Sequence, residues 1–196
     1  MARTGMTTLI SNLRDYGVAG TADYTLGTTS YWSDNQLQTI LDKNKLNVLH
    51  EELVSVATYN TGGSLVYKDF YSTFGNWEET SAGTSVFVVE DGTGNAIGTA
   101  LWSMNYAEGK LTFGADQGGS TRYITGQSYD LNSAAANVWQ MKAGHHASSV
   151  NFKTDNMSVD RGDMMKNDRD MAIYYSSMGR VKHMTFDRDD TSGGDD

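Results

Sequence analysis

Apolar residues in this chain recur at helical spacing near both ends and in short strand-like runs between them, so neither an all-α nor an all-β fold accommodates it. Met6, Leu9, Ile10 and Leu13 stand at i, i+3, i+4 and i+7, which predicts a helix over about residues 6–16 that Gly17 ends. Ser33 followed by Gln36 is a capping-box pattern, and Asp34 suits the positive end of a helix dipole. Leu37, Ile40 and Leu41 then supply an apolar stripe, predicting a second helix over Asp34–Asn44 with Trp32 stapled against Leu37. Residues 46–59 fit both periods. The β-branched Val54, Val56 and Thr58 and the Asn60-Thr61-Gly62-Gly63 turn favour a strand and hairpin at the end of that stretch.

From Ser64 to Tyr129 the runs Leu65–Phe70, Val86–Glu90, Ala96–Tyr106, Lys110–Phe113 and Arg122–Tyr129 are short and aromatic or β-branched. Asp91-Gly92, Gly94-Asn95, Glu108-Gly109 and Gly118-Gly119 punctuate them as turns, so antiparallel hairpins are expected. The period then changes back. Asp130 is placed to cap a helix over Leu131–Val150 whose inner face reads Ala135, Val138, Trp139 and Met141. Ser158 opens a last helix over Val159–Met178, on which Met164, Met171, Tyr175 and Met178 form one row, widened by Met165 and Ala172. The expected class is α+β: a helical bundle from N- and C-terminal helices, an inserted antiparallel β-hairpin subdomain and an extended C-terminal tail. The expected limits are 1–50 and 130–178 for the two helical parts, 51–129 for the β insertion and 179–196 for the acidic tail.

Composition narrows the function classes. With no Pro among 196 residues, turns rest on Gly, Asn and Asp, and with no Cys there is neither a disulfide framework nor a thiolate site. That suits assembly in a reducing cytoplasm. A formal net charge of −9 argues against gripping nucleic acid, and the longest apolar run, Val86–Val89, is far too short to cross a membrane. The tail from Arg180 to Asp196 has no apolar period, ends over Asp187–Asp196 in five acids against one base, and is expected to be disordered in isolation.

No motif specifies catalysis or a cofactor. His145 and His146 are neighbours on a helix and point about 100° apart, away from a shared ion. His145 is expected beside the stripe of Val138 and Met141, and His146 in the row of Trp139 and Lys142. Gly92-Thr93-Gly94-Asn95-Ala96-Ile97-Gly98 lacks the helix a phosphate loop needs and reads as a hairpin turn. Asp155, Asp160, Asp163, Asp168 and Asp170 lack the Gly and Glu of a calcium loop and, interleaved with Arg161, Lys166 and Arg169, read as a solvated or subunit-facing surface. Arg161-Gly162-Asp163 falls at a helix start, and no GxSxG elbow occurs. The expectation is a non-enzyme with no catalytic residue, no metal and no cofactor. Trp77, Trp102 and Tyr106 could form a sugar-stacking platform, although aromatics in a β subdomain more often build its core.

Three segments together resemble a known family. Tyr31–Asp42, reading YWSDNQLQTILD, is similar to the W-S/T-D-x-x-L-x-x-x-L-D stretch of head–tail connector (adaptor) proteins of tailed bacteriophages. Tyr129–Ala143, reading YDLNSAAANVWQMKA, resembles the same family's Y-D-L/V/P-x-x-A-A-A-x-x-W-x-x-K-A helix. Val150–Ser158 is similar to its V-D-F-S/T-T-D-N-x-S turn, departing at Asn151 and Lys153, and Met171-Ala172-Ile173-Tyr174-Tyr175 fits its closing helix. The resemblance covers about a third of the chain, and the β insertion is only loosely similar.

It implies a structural, portal-binding ring in the virion neck, usually of twelve copies, assembled in the host cytoplasm. Such a ring joins the portal protein to a tail-proximal neck or tail protein, and double-stranded DNA passes through without specific binding. It further implies a C-terminal segment that engages the portal, here through Arg180, Lys182, Met184 and Phe186. The row Met164, Met171, Tyr175 and Met178 then becomes the expected subunit interface, and part of the acidic charge is expected to line the channel. Other ring-forming neck or tail parts, a head-closure or tail-terminator protein, stand as the alternative, and a carbohydrate- or surface-binding β module as a further one.

Overall fold

The computed structural model describes residues 2–79, 87–147, 152–154, 157–159 and 161–180. They form an α+β structure in which every paired strand is antiparallel. After a 3-10 turn at Thr4–Met6, α1 spans Thr7–Gly17 and buries Leu9, Ile10 and Leu13. Gly17 does not end the helix; it lies within it because a Cβ there would meet Val138 Cγ1 at 2.8 Å, so its bare backbone lets α1 approach the later helix. The stop is Val18, in the left-handed region at φ 45° and ψ 46°, and the Ala19 N–H then donates to the Arg14 carbonyl at 2.9 Å.

Helix α2, Asp34–Lys43, carries the expected capping box: the Gln36 N–H donates to Ser33 Oγ at 3.4 Å and the Ser33 N–H to Gln36 Oε1 at 2.7 Å. Asn44 is its C-cap, not its last turn. Helix α3, Leu131–Ala147, starts at Asp130, whose Oδ1 accepts from the Ser133 N–H at 3.0 Å. Residues 148–150 of the expected helix lie outside the described residues. Ala135, Val138 and Trp139 are buried as expected, but Met141 is 43% exposed, because the stripe buried on α3 runs through Ala134, Val138, Lys142 and its neighbours and leaves Gln140 and Met141 outside it. The first core joins α1, α2 and α3 through Leu13, Trp32, Leu37, Leu41, Tyr129 and Val138, and the hairpin β1 (Tyr24–Leu26) to β2 (Thr29–Tyr31) leans on it through Tyr24 and Tyr31.

Apart from Leu53, the ambiguous stretch is strand: β3 is Lys45–Glu52 and β4 is Val54–Tyr59. Leu46 and Leu49, which mimic a helical period, are 42% and 78% exposed, so they mark no buried face. β3 also runs across the expected limit at residue 50. The remaining strands are β5 (Leu65–Tyr71), β6 (Val88–Glu90), β7 (Trp102–Asn105), β8 (Lys110–Phe113) and β9 (Tyr123–Tyr129). They form one sheet in the order β3-β9-β6 and another in the order β4-β5-β8-β7. A second core lies on these strands, with Val48, Phe70, Trp77, Phe87, Leu111 and Ile124 among its members. Trp77 and Phe87 lie over Gly126 of β9, where a Cβ would meet their rings at 3.2 and 3.0 Å.

The Gly92–Gly98 run is a turn: Asp91 Oδ1 accepts from the N–H groups of Thr93 at 2.8 Å and Asn95 at 3.0 Å, and the chain enters the 3-10 turn Thr99–Leu101 and then β7. The Thr93 hydroxyl, which donates to the same oxygen at 2.7 Å, and these two backbone bonds hold the Asp91 carboxyl down at about 2.

The last helix, α4, is Arg161–Met178 and packs chiefly on α3. It starts later than the periodicity suggests, because Val159 belongs to β11 (Met157–Val159), paired with β10 (Phe152–Thr154). Between the two cores sits an ionic knot. Arg3 bonds Asp42 at 2.7 Å and Glu78 at 2.9 Å, and the Tyr129 hydroxyl donates to Glu78 at 2.6 Å. Glu78 is only 2% exposed, so Arg3 and Tyr129 together answer the cost of burying its carboxylate.

Candidate interaction surface

The four residues expected to form a subunit interface occupy α4. Met164 and Met178 are each 44% exposed, whereas Met171 and Tyr175 are half-buried. Tyr175 packs on the first core and stacks on Tyr16 with ring centroids 5.8 Å apart. The row therefore divides, its middle facing this chain's own helices and its ends facing solvent. Ile173 and Tyr174, which that row does not include, are 67% and 54% exposed and offer more apolar surface. The signal for them is the adjacency Tyr174-Tyr175: neighbours on a helix cannot share one face, so one tyrosine must turn outward. Between α3 and α4 an open groove of about 690 Å³ is lined by small and polar side chains, including Ser133, Asn137, Ala172 and Ser176.

Asp168 departs from the expected solvated surface. It is 5% exposed and accepts from or donates to His146 Nδ1 at 2.6 Å, according to which of the two holds the proton. The spacing explains it: Met164, Asp168, Met171, Tyr175 and Met178 follow steps of four, three, four and three, so the acid lies inside the row that packs on α3. His145 faces the other way and stacks on Tyr24 at 3.9 Å, and burial, with Tyr31 and Asp23 nearby, pushes the Tyr24 hydroxyl up to about 12. Lys142, in the buried stripe, donates to the Val18 carbonyl at 2.6 Å and pairs with Asp23 at 3.0 Å, which braces the left-handed corner after α1. Among the described residues no three His, Asp or Glu side chains converge as metal ligands would.

Arg180 ends the described chain and is held by its own neighbours. Its N–H donates to Asp130 Oδ2 at 2.7 Å, and its guanidinium donates to Ser128 Oγ at 2.9 Å and the Gly75 carbonyl at 3.2 Å. The guanidinium also lies 5.3 Å from the Phe74 ring. Burial lowers its pKa, against the opposing pull of Asp130 and Glu51. Lys182, Met184 and Phe186, named with it as portal contacts, lie outside the described residues, as do Asp155 and Asp160. The aromatic platform does not form: Trp77 is 1% exposed and packs edge-on against Phe87, with Trp102 and Tyr106 on the same core.

Set beside known protein families, curated proteins and solved structures, the chain matches none of them. No described helix is long and apolar enough to cross a membrane. The surface is therefore read from its own chemistry: exposed apolar side chains on α4, a shallow groove beside them and a fixed exit for the C-terminal segment.

Proposed function

We propose that this chain is a ring-forming structural protein of the head–tail connector of a tailed bacteriophage, and not an enzyme. One observation carries the reading. The two longer segments that resemble connector proteins, 31–42 and 129–143, contribute nine of the fourteen buried residues of the first core, from Trp32 and Leu37 to Ala134 and Val138. Segments far apart in sequence thus supply one packed unit, which supports treating them as one inherited pattern. In this reading the N- and C-terminal helices are the bundle of the connector and the strands are its insertion. Met164, Met178, Ile173 and Tyr174 face a neighbouring copy, and the segment from Arg180 through Lys182, Met184 and Phe186 meets the portal protein. The ring, of about twelve copies by analogy with the family, passes DNA toward a tail-proximal partner, and acidic side chains line its channel so that the duplex slides without being held.

Electron microscopy of the purified protein mixed with portal tests this. A ring matching the portal in copy number is expected, with deletion of residues 181–196 abolishing attachment while the Arg180 contacts remain. A hexamer would move the protein to a tail-proximal position, and a monomer that ignores portal would overturn the connector reading.

A further inference from the structure

The two larger sheets distribute charge in opposite ways. In β3-β9-β6 the edges carry Lys45, Glu51, Glu52 and Glu90, and central β9 carries no charge. That is the usual protection, because a charged edge discourages pairing with another chain. In β4-β5-β8-β7 the charges sit in the middle, on Lys68, Asp69 and Lys110, and both edges are bare. The two longest uncharged stretches of the whole chain, residues 53–67 and 92–107, contain these two edges. β4 is also exposed, with Val54 at 60%, Val56 at 39% and Tyr59 at 75%. Among the described residues no strand pairs with the outer side of β4 or of β7.

We infer that the β4 edge of one copy pairs with the β7 edge of a second copy of this chain, continuing the sheet from subunit to subunit. The occupant follows from charge. Two chains of net charge −9 repel over most of their surfaces, and an uncharged edge lets their backbones approach without placing like charges together. Direction agrees as well. Neighbouring strands alternate from β4 to β7, so β7 of a similarly oriented copy runs antiparallel to β4, as every other pair in this sheet does. One lateral row crosses the sheet through Val56, Asp69, Thr112 and Ser103, so Val56 and Ser103 lie on the same face at opposite ends of it. Such a contact is head-to-tail and propagates, closing only if the rotation per copy closes; the inference rests on the connector reading for that closure alone.

The absence of cysteine gives a clean test. Full-length Val56→Cys and Ser103→Cys proteins are mixed under mild oxidation. The expected product is a disulfide containing one copy of each, with neither variant linking to itself. Val56→Lys and Ser103→Lys should each raise the concentration needed for half-assembly at least tenfold in sedimentation, with circular dichroism unchanged. Self-linked Val56→Cys dimers alone, a wild-type chain that stays monomeric, or assembly unaffected by both lysines would overturn the inference. Rings seen on the portal without the mixed disulfide would sink the edge pairing and spare the connector reading. Mixed disulfides in open filaments that ignore portal would do the reverse.

Discussion

Gly17 and Val18 occupy adjacent positions with opposite demands on their side chains. A methyl at 17 would press on Val138, which is fully buried, at 2.8 Å. Overpacking of that kind costs about 1–3 kcal/mol, against which a helical alanine regains up to about 1 kcal/mol. Gly17→Ala should therefore lower the melting temperature in the natural background and raise it when Val138→Ala has opened the space. At 18 the left-handed backbone strains a β-branched residue that is 65% exposed. Val18→Gly relieves strain of about 1–3 kcal/mol at a small entropic cost, so a rise of about 2–4 °C is expected in thermal unfolding followed by circular dichroism. In the sequence a glycine after an apolar period looks like a helix stop. Only the partner helix shows that this glycine serves close approach and that the stop lies one residue later.

Between elements, the Arg3, Asp42, Glu78 and Tyr129 knot ties the start of the chain to α2, to the segment after β5 and to the end of β9. Arg3→Ala strands a carboxylate whose side chain is 3% exposed, and should cost about 3 kcal/mol, the low end for a broken buried pair because the Arg3 side chain is itself 40% exposed. Arg3→Ala combined with Glu78→Gln should recover much of that loss in urea titrations. Asp42 gives the knot a pH dependence. Burial alone would raise its carboxyl, yet Arg3 bonding and charge outweigh burial and lower it. Its contribution is thus complete above the unfolded carboxylate value of about 3.9 and fades as pH falls through the lower folded value. Asp42→Asn should flatten the loss of stability as pH falls below about 4. None of this was legible beforehand, since four residues scattered from position 3 to 129 share no motif. The α2 capping box was legible because its two partners are three residues apart. Asp168 was readable from the steps of four and three along α4, but its acidic character outweighed its position.

At the scale of the molecule, the change of hydrophobic period predicts the α+β class and the antiparallel strands, because each depends on local spacing. It does not predict which strands become edges. That order comes from long-range pairing such as β3 with β9, so the uncharged edges could be seen only after the sheets were assembled. The division of the α4 row has the same origin: Tyr175 is claimed by Tyr16, a neighbour no helical period reveals. Arg180 carries a mechanical implication. Tension applied beyond residue 180 arrives first at its three hydrogen bonds, which reach Gly75, Ser128 and Asp130 at the seam between the two cores. The last turn of α4, where Asn132 also holds the Met178 carbonyl, is shielded from being unzipped end-first. A pull is thereby divided among three anchor points on separate segments, as a seam loaded along its length resists far more than one peeled from its corner.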